Sequence, residues 1–170
     1  FLCSGFRGLQ TANVDPAVRA DSLPTAIFQQ GLAYAIAHEV GHTLGLEHNM
    51  AASAAFATDS LRNAAFTRKY GTTPSIMDYA RFNYVAQPGD KGVRLTPPEL
   101  GEYDYFAIDW NYRYYPQYAG KFDDETKAIE AMTDKAVKNP HLRFMPTQSR
   151  IIDPTVVAED LGNNPIKAAE

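Results

Sequence analysis

The clearest hydrophobic pattern in the chain is an apolar residue at every fourth position near its start. The repeat consists of Phe28, Leu32, Ile36, Val40 and Leu44. Residues four apart lie on one face of an α-helix, so the pattern predicts a helix over about 23–44 whose apolar stripe faces a core. Pro24 fits the first turn of this helix, and Gly45 is well placed to end it.

The next part of the chain predicts short helices followed by a long irregular stretch. Residues 51–70 are rich in alanine and predict two helical pieces. Thr58 or Asp59 would cap the second piece, and Gly71 would end it. Prolines and glycines recur through 72–95, so we expect loops there.

A further helix is predicted to begin at the run Thr96-Pro97-Pro98-Glu99. This run has the form of a capping box with proline at the first helical position, and the helix would extend to about Tyr112. We expect its buried face to contain Leu100, Tyr103, Ala107 and Trp110.

The last part of the chain predicts one more long helix. The aromatic stretch 112–118 contains Pro116 and is expected to form a packed loop. Asp123 would cap a helix over about 124–138, which the following proline would close. Beyond it the tail is loop-like, with a short helix near 155–160.

Composition fits one folded domain and argues against some partner classes. The chain has 170 residues, of which 45% are hydrophobic, enough for one domain with a core. With 16 basic and 20 acidic residues the net charge is −4, too mild to indicate nucleic acid or an anionic membrane as partner. No segment approaches the roughly 20 apolar residues of a membrane span. The lone cysteine, Cys3, is interpreted as incidental.

One short motif carries the chemistry. It reads His38-Glu39-Val40-Gly41-His42-Thr43-Leu44-Gly45-Leu46-Glu47-His48. His38 and His42 are four apart, so on a helix they lie one turn apart on one face and can reach a single ion. Glu39 points about 100° around the helix, where it can contact a water beside that ion. Gly45 allows the chain to break the helix and turn, which brings His48 back toward the metal.

Three histidines would leave the fourth tetrahedral position open, which is typical of a catalytic zinc site. The motif therefore predicts Zn²⁺ held by His38, His42 and His48, with Glu39 as the catalytic base. The alternative is a chance match of the short His-Glu-x-x-His pattern, but here the glycine and the third histidine are also in order. The remaining histidine, His141, is interpreted as an ordinary loop residue.

With its later methionine, the motif resembles the metzincin peptidases. The matching run is Ser75-Ile76-Met77-Asp78-Tyr79, whose form is similar to the methionine turn of astacins and serralysins. The resemblance implies that Met77 forms an apolar floor under the zinc and that Tyr79 supports the oxyanion. Taken without the upstream motif, both residues would be read as core packing.

A closer resemblance covers about 25–165. The runs His-Glu-Val-Gly-His-Thr-Leu-Gly-Leu, Pro-Ser-Ile-Met-Asp-Tyr-Ala-Arg-Phe and Glu-Asp-Leu-Gly (159–162) are similar to the Met-zincin domain of large bacterial zinc metallopeptidases, often from Bacteroidetes. Those proteins are typically exported, so the resemblance implies a periplasmic, outer-membrane-associated or extracellular location. Asn49 stands after the third histidine, where better-known families have other residues.

The resemblance also implies a fold class. We expect a single domain over 1–170 that is mainly α and forms the C-terminal part of a zincin-like catalytic domain, α+β when complete. Its parts would be an N-terminal segment (1–22), the active-site helix with the third ligand (23–48), the methionine-turn region (72–84) and C-terminal helices with a tail (96–170). Because the chain starts at Phe1 and its first residues do not alternate like strands, we expect it to be cut from a longer protein that supplies the upstream sheet.

The function indicated by these features is a zinc metalloendopeptidase acting on a peptide or protein substrate. Two alternatives stay open at this point. One is a zinc-containing binding module without turnover, suggested by the aromatic residues of 103–118. The other is a zinc hydrolase of a non-peptide amide or ester, because the motif does not choose the acyl group.

Overall fold

The computed structural model describes residues 25–80, 82–148 and 152–169, and its regular structure there is helical, without a strand. The α-helices are α1 (Thr25–Thr43), α2 (Ala64–Tyr70), α3 (Glu102–Tyr112), α4 (Phe122–Ala136) and α5 (Pro165–Ala169). Short 3-10 turns lie at Ser53–Ala55, Thr58–Arg62, Pro116–Tyr118 and Pro140–Leu142. The mainly helical character predicted for this piece is confirmed. Cys3, Pro24 and the segment 1–22 lie outside the described residues.

Helix α1 buries a different face from the one that the sequence predicts. The five apolar residues at every fourth position are each between 41% and 55% exposed. The buried residues of the helix are instead Gly31, Tyr34, His38 and Gly41. The prediction that the apolar stripe faces a core is therefore wrong within the described chain, because the segment around Met77 packs against the histidine face.

Two apolar clusters hold the described chain together around the site. One lies under α1 and joins it to the loop 75–79 and to α3 through Tyr34, Leu46, Ile76, Met77 and Ala107. The other joins the stretch 51–70 to the tail through Phe56, Leu61, Ala80, Val85, Leu161 and Ala168. Backbone bonds from Gly162 to Ser53 (3.1 Å) and from Asn163 to Phe56 (2.9 Å) fix the tail in place.

The stretch 51–70 is helical in short pieces, but its helix is capped by a different residue from the one predicted. It forms two 3-10 turns and then α2, whose N-cap is Asn63, with its side-chain oxygen accepting from the Phe66 amide at 3.0 Å. Thr58 and Asp59 do not cap this helix; both lie in the preceding 3-10 turn. Gly71 ends α2 with φ 74°, as expected, and 72–95 contains no helix or strand among its described residues.

Helix α3 begins five residues later than the proline run predicts. Its first residue is Glu102, and the Gly101 amide donates to the Asp104 carboxylate at 2.7 Å. A Cβ at Gly101 would lie 2.0 Å from the Pro74 carbonyl oxygen, so the loop and the helix start are in close contact. Of the predicted buried face, Ala107 is buried, Tyr103 is half-buried, and Leu100 (54%) and Trp110 (45%) are exposed.

The remaining elements correct three local predictions. Helix α4 starts at Phe122, so Asp123 lies inside its first turn, and Lys121 is the N-cap without a side-chain bond. The aromatic stretch is not packed throughout, since Tyr112 and Tyr114 are 60% and 75% exposed. No helix occurs at 155–160; the last helix is α5. No described helix combines the length and apolar character required to cross a membrane.

Candidate metal centre

Three histidines converge where α1 ends. The helix places His38 and His42 one turn apart, and Gly45, at φ 81°, turns the chain out of the helix. The returning loop brings His48 beside them, and one imidazole nitrogen from each residue lies within 4.8 Å of the other two. The Nε2 atoms of His42 and His48 are 3.1 Å apart. The structure thus brings together the three residues that the sequence predicts as ligands.

Backbone carbonyls set the orientation of two of these rings. Nδ1 of His38 lies 2.7 Å from the Ile76 carbonyl oxygen, and Nδ1 of His42 lies 2.8 Å from that of Leu46. A carbonyl only accepts, so each Nδ1 carries the proton and donates it. In each of these two rings the lone pair is then on Nε2.

One pair of histidine nitrogens has the spacing of ligands in a tetrahedral metal site. Nitrogen ligands about 2.0–2.1 Å from zinc lie about 3.3 Å apart in a tetrahedral site. The 3.1 Å separation of the His42 and His48 nitrogens is close to that value. The donor set of three imidazoles suits Zn²⁺.

The surroundings of His48 favour its neutral form. Burial lowers the pKa of His48 below its usual value, and the neighbouring His42 and His38 lower it further. Glu39 and Glu47 act in the opposite direction. A neutral imidazole is the form that binds metal.

Glu39 and Tyr79 both lie beside the three histidines. Glu39 follows His38 in α1, and its side chain is exposed. The ring of Tyr79 lies with its centroid 4.5 Å from that of His48 and 5.8 Å from that of His38. The predicted base and the predicted oxyanion support are therefore close to the same cluster.

Met77 is fully buried beneath this part of α1. It packs with Tyr34, Leu46 and Ala107 in the cluster described above, and it is 0% exposed. A Cβ at Gly41 would lie 2.5 Å from the Met77 sulfur. The glycine between the two helical histidines thus allows the methionine to approach the helix backbone.

Three consecutive carbonyls around Met77 each accept a hydrogen bond. The Ile76 carbonyl accepts from the His38 ring, and the Met77 carbonyl accepts from the backbone N–H of Asn49 at 2.9 Å. The Asp78 carbonyl accepts from the Tyr34 hydroxyl at 2.6 Å. Helix α1 and the residue after the third histidine together fix the path of this loop.

Sequence reasoning missed three residues that hold the site. Tyr34 is four residues before His38, so its place on the histidine face was available from helical spacing. Asn49 is fully buried; its side chain donates to the Arg143 carbonyl at 2.9 Å and accepts from the Met145 amide at 3.1 Å. Asp104 contacts the loop from α3, and no local pattern marks it.

His141 takes no part in the cluster. It lies in the 3-10 turn Pro140–Leu142, with Nδ1 2.7 Å from a carboxylate oxygen of Glu102. Its ring meets that of Phe56 edge-on at 4.9 Å. His141 therefore connects the turn Pro140–Leu142 to α3 and lies outside the three-histidine cluster.

A cavity of about 690 Å³ lies behind the loop that carries His48. Its lining includes Leu46, Tyr103, Phe106, Trp110 and Phe144. None of the three histidines lines it, so this cavity is separate from the face on which the ligand nitrogens meet.

Comparison with known proteins identifies the family. The Met-zincin family model matches residues 20–170. No curated protein and no solved structure matches the chain. Because the family match covers most of the chain, the chain belongs to the Met-zincin family.

Proposed function

From its membership of the Met-zincin family, we propose that this chain is the metal-binding part of a zinc metallopeptidase that hydrolyses internal peptide bonds. The observation that carries the proposal is the convergence of three histidine nitrogens beside an exposed glutamate. A purely structural zinc site has four protein ligands and needs no base. Here the described cluster has three, and Glu39 lies next to it.

In this reaction the described residues would have separate roles. Zinc, when bound, supplies a Lewis acid that polarises the scissile carbonyl and lowers the pKa of a water molecule. Glu39 would accept the proton of the attacking water and deliver it to the leaving amine. Tyr79, whose ring centroid lies 4.5 Å from that of His48, would donate a hydrogen bond to the oxyanion that develops on the carbonyl oxygen. His38, His42 and His48 would hold the ion.

The test compares Glu39→Gln with Glu47→Gln in the full-length protein. Both residues are exposed acids near His48, and only Glu39 is assigned a catalytic role. We expect Glu39→Gln to bind zinc at the wild-type stoichiometry while cleaving casein or a quenched peptide library roughly 10²–10⁴-fold more slowly. Glu47→Gln should retain most of the activity. Undiminished cleavage by Glu39→Gln would overturn the mechanism.

The same assay separates the two alternatives. Stoichiometric zinc with no cleavage of any peptide by the wild-type protein would favour a binding module. Turnover of small esters or amides without peptide cleavage would favour a non-peptide hydrolase. Intact Glu39 beside the cluster supports turnover.

We further propose that the N-terminal part of the parent protein covers the exposed stripe of α1. Five large apolar side chains on the helix that carries two of the histidines are between 41% and 55% exposed, and a patch of this kind is normally covered in a folded protein.

In the full-length protein, Ile36→Lys should lower the free energy of unfolding by about 2 kcal/mol or more. The matched control is Ile166→Lys, because Ile166 is 76% exposed on α5 and should tolerate the charge. Equal effects of the two substitutions would contradict the proposal.

Export of the parent protein is also proposed, on family resemblance alone. Cell fractionation that finds the full-length protein in the cytoplasm would contradict it.

A further inference from the structure

Asp104 is a buried carboxylate whose partners all belong to the backbone and side chains around the metal site. It lies in the first turn of α3 and is 2% exposed. Its Oδ1 accepts from the Ser75 hydroxyl at 2.7 Å. Its Oδ2 accepts from the Ile76 amide at 2.9 Å and the Gly101 amide at 2.7 Å.

A continuous series of hydrogen bonds leads from this carboxylate to a predicted metal ligand. The Ser75 hydroxyl that donates to Asp104 accepts from the Met77 amide at 3.0 Å. That amide belongs to the same peptide unit as the Ile76 carbonyl, which accepts from Nδ1 of His38 at 2.7 Å. The order is therefore carboxylate, hydroxyl, peptide and imidazole, with every donor pointing toward the negative charge.

The direction of these bonds has a chemical consequence. A carboxylate polarises the hydroxyl that donates to it, the hydroxyl becomes a better acceptor for the peptide N–H, and the peptide C=O becomes a better acceptor for the imidazole. A stronger acceptor at Nδ1 fixes the tautomer of the ring and raises the basicity of Nε2. His38 would then be a stronger ligand than an imidazole bonded to water.

Keeping a charge at this position opposes folding. Burial raises the pKa of Asp104, while the bonds from Gly101, Ile76 and Ser75 lower it, as does the nearby His38. A neutral side chain of the same shape would avoid the desolvation penalty. The carboxylate accepts from the amide at the start of α3 and from the loop that bonds His38, so it links the helix to the site.

We propose that Asp104 is a positioning residue of the metal centre, acting through the Ser75 hydroxyl and the peptide between Ile76 and Met77 to orient His38 and strengthen it as a ligand. The inference rests on the metal-binding part of the proposed function and is independent of peptide hydrolysis.

The test uses Asp104→Asn, Ser75→Ala and the double variant in the full-length protein. Asp104→Asn removes the charge at constant shape, and Ser75→Ala removes the link and leaves the carboxylate with its two amide donors. We expect each single variant to weaken zinc affinity, measured by chelator competition, roughly 10- to 100-fold. The double variant should lose little more than either single one, because both interrupt the same series.

A substitution of a buried polar residue outside the Asp104–His38 series separates this effect from general destabilisation. Asn83→Ala is matched to it, since Asn83 is 0% exposed and bonds the carbonyls of Leu61 and Arg94. Zinc affinity should stay within about twofold of wild type in that variant. If Asp104→Asn does not fold, Ser75→Ala carries the test alone.

The ¹⁵N resonances of the His38 ring in metal-free protein give a readout that does not depend on zinc or activity. In wild type they should report Nδ1–H with an unprotonated Nε2. Asp104→Asn and Ser75→Ala should shift the Nδ1 resonance, and Asn83→Ala should not. The proposal would be overturned if the ring resonances were unchanged in both Asp104→Asn and Ser75→Ala. It would also be overturned if the losses of zinc affinity in the two single variants added up in the double variant. Failure of wild-type protein to bind zinc would contradict the proposed function and leave this readout intact.

Discussion

The sulfur of Met77 occupies the space where a side chain at Gly41 would begin. A Cβ built on Gly41 would lie only 2.5 Å from that sulfur and 3.7 Å from Leu46. Gly41 is thus small because another part of the chain, 36 positions later, packs against the helix backbone between the two helical histidines.

Gly41→Ala should disturb both the fold and the metal site. Met77 is 0% exposed and cannot swing into solvent, so the new methyl group must displace a packed side chain. We expect a loss of about 1–3 kcal/mol in the free energy of unfolding, measured by urea denaturation, and weaker zinc binding. Gly89→Ala is the control, because a Cβ there meets nothing within 4 Å and should change stability by less than about 0.5 kcal/mol. Equal stability of the two variants would show that Met77 rearranges freely.

Tyr34→Phe tests the bond that holds the Asp78 carbonyl. The Tyr34 hydroxyl donates to that carbonyl at 2.6 Å in a buried setting, and the hydroxyl pKa is raised because of burial, with Asp78 adding to the effect. Removing it leaves a carbonyl without this partner, at a cost of about 1–3 kcal/mol in thermal or urea unfolding. Tyr114→Phe, at a side chain that is 75% exposed, should be neutral. A neutral Tyr34→Phe would mean that the bond adds nothing to stability.

Asn49→Ala should loosen the segment 143–145 from the third histidine. The Asn49 side chain donates to the Arg143 carbonyl and accepts from the Met145 amide, and both groups would lose this partner. We expect a loss of about 2 kcal/mol or more in unfolding free energy. Limited proteolysis should cut near 143–148 faster than in wild type. Asn111→Ala is a suitable comparison, since Asn111 is exposed and its side chain donates within its own helix, to the Ala107 carbonyl at 2.8 Å.

Asp78 should make stability fall as the pH rises toward neutrality. Burial raises the pKa of this carboxyl from 3.8 to about 7, and Asp160 adds to the rise, although bonds from Ser53 oppose it. Because the folded pKa lies above the unfolded one, the favourable contribution is complete below about pH 4 and is lost as the pH rises to about 7. The change is at most about 4 kcal/mol.

Urea denaturation of wild type and Asp78→Asn at several pH values between about 4 and 8 isolates this effect. The difference in unfolding free energy between the two proteins should move steadily in favour of Asp78→Asn as the pH rises. A difference that stays constant across this range would show that Asp78 ionises normally in the fold.

The convergence of the three histidines was predictable because the information is local. His38 and His42 are one helical turn apart, Gly45 ends the helix, and His48 follows three residues later. Such spacings constrain geometry over about ten residues whatever the rest of the chain does. The same holds for the end of α2 at Gly71 and for the mainly helical class of this piece.

Contacts between distant residues could not be predicted in this way. The start of α3 moved from Pro97 to Glu102 because Asp104 bonds the Gly101 and Ile76 amides, and no turn pattern encodes a partner 28 residues away. The buried face of α1 was likewise decided by the segment around Met77, which packs against Tyr34 from a distant part of the chain.

The sequence by itself determined which atoms can bind a metal, since the spacing of the histidines and the turn at Gly45 depend only on helix geometry and on a glycine's freedom at positive φ. The tertiary structure alone decided how those atoms are held. The Ile76 carbonyl and the Met77 sulfur reach α1 through long-range packing, and the Asp104 carboxylate holds the loop that supplies them. Such packing depends on the burial of the whole chain and leaves no periodic trace along it.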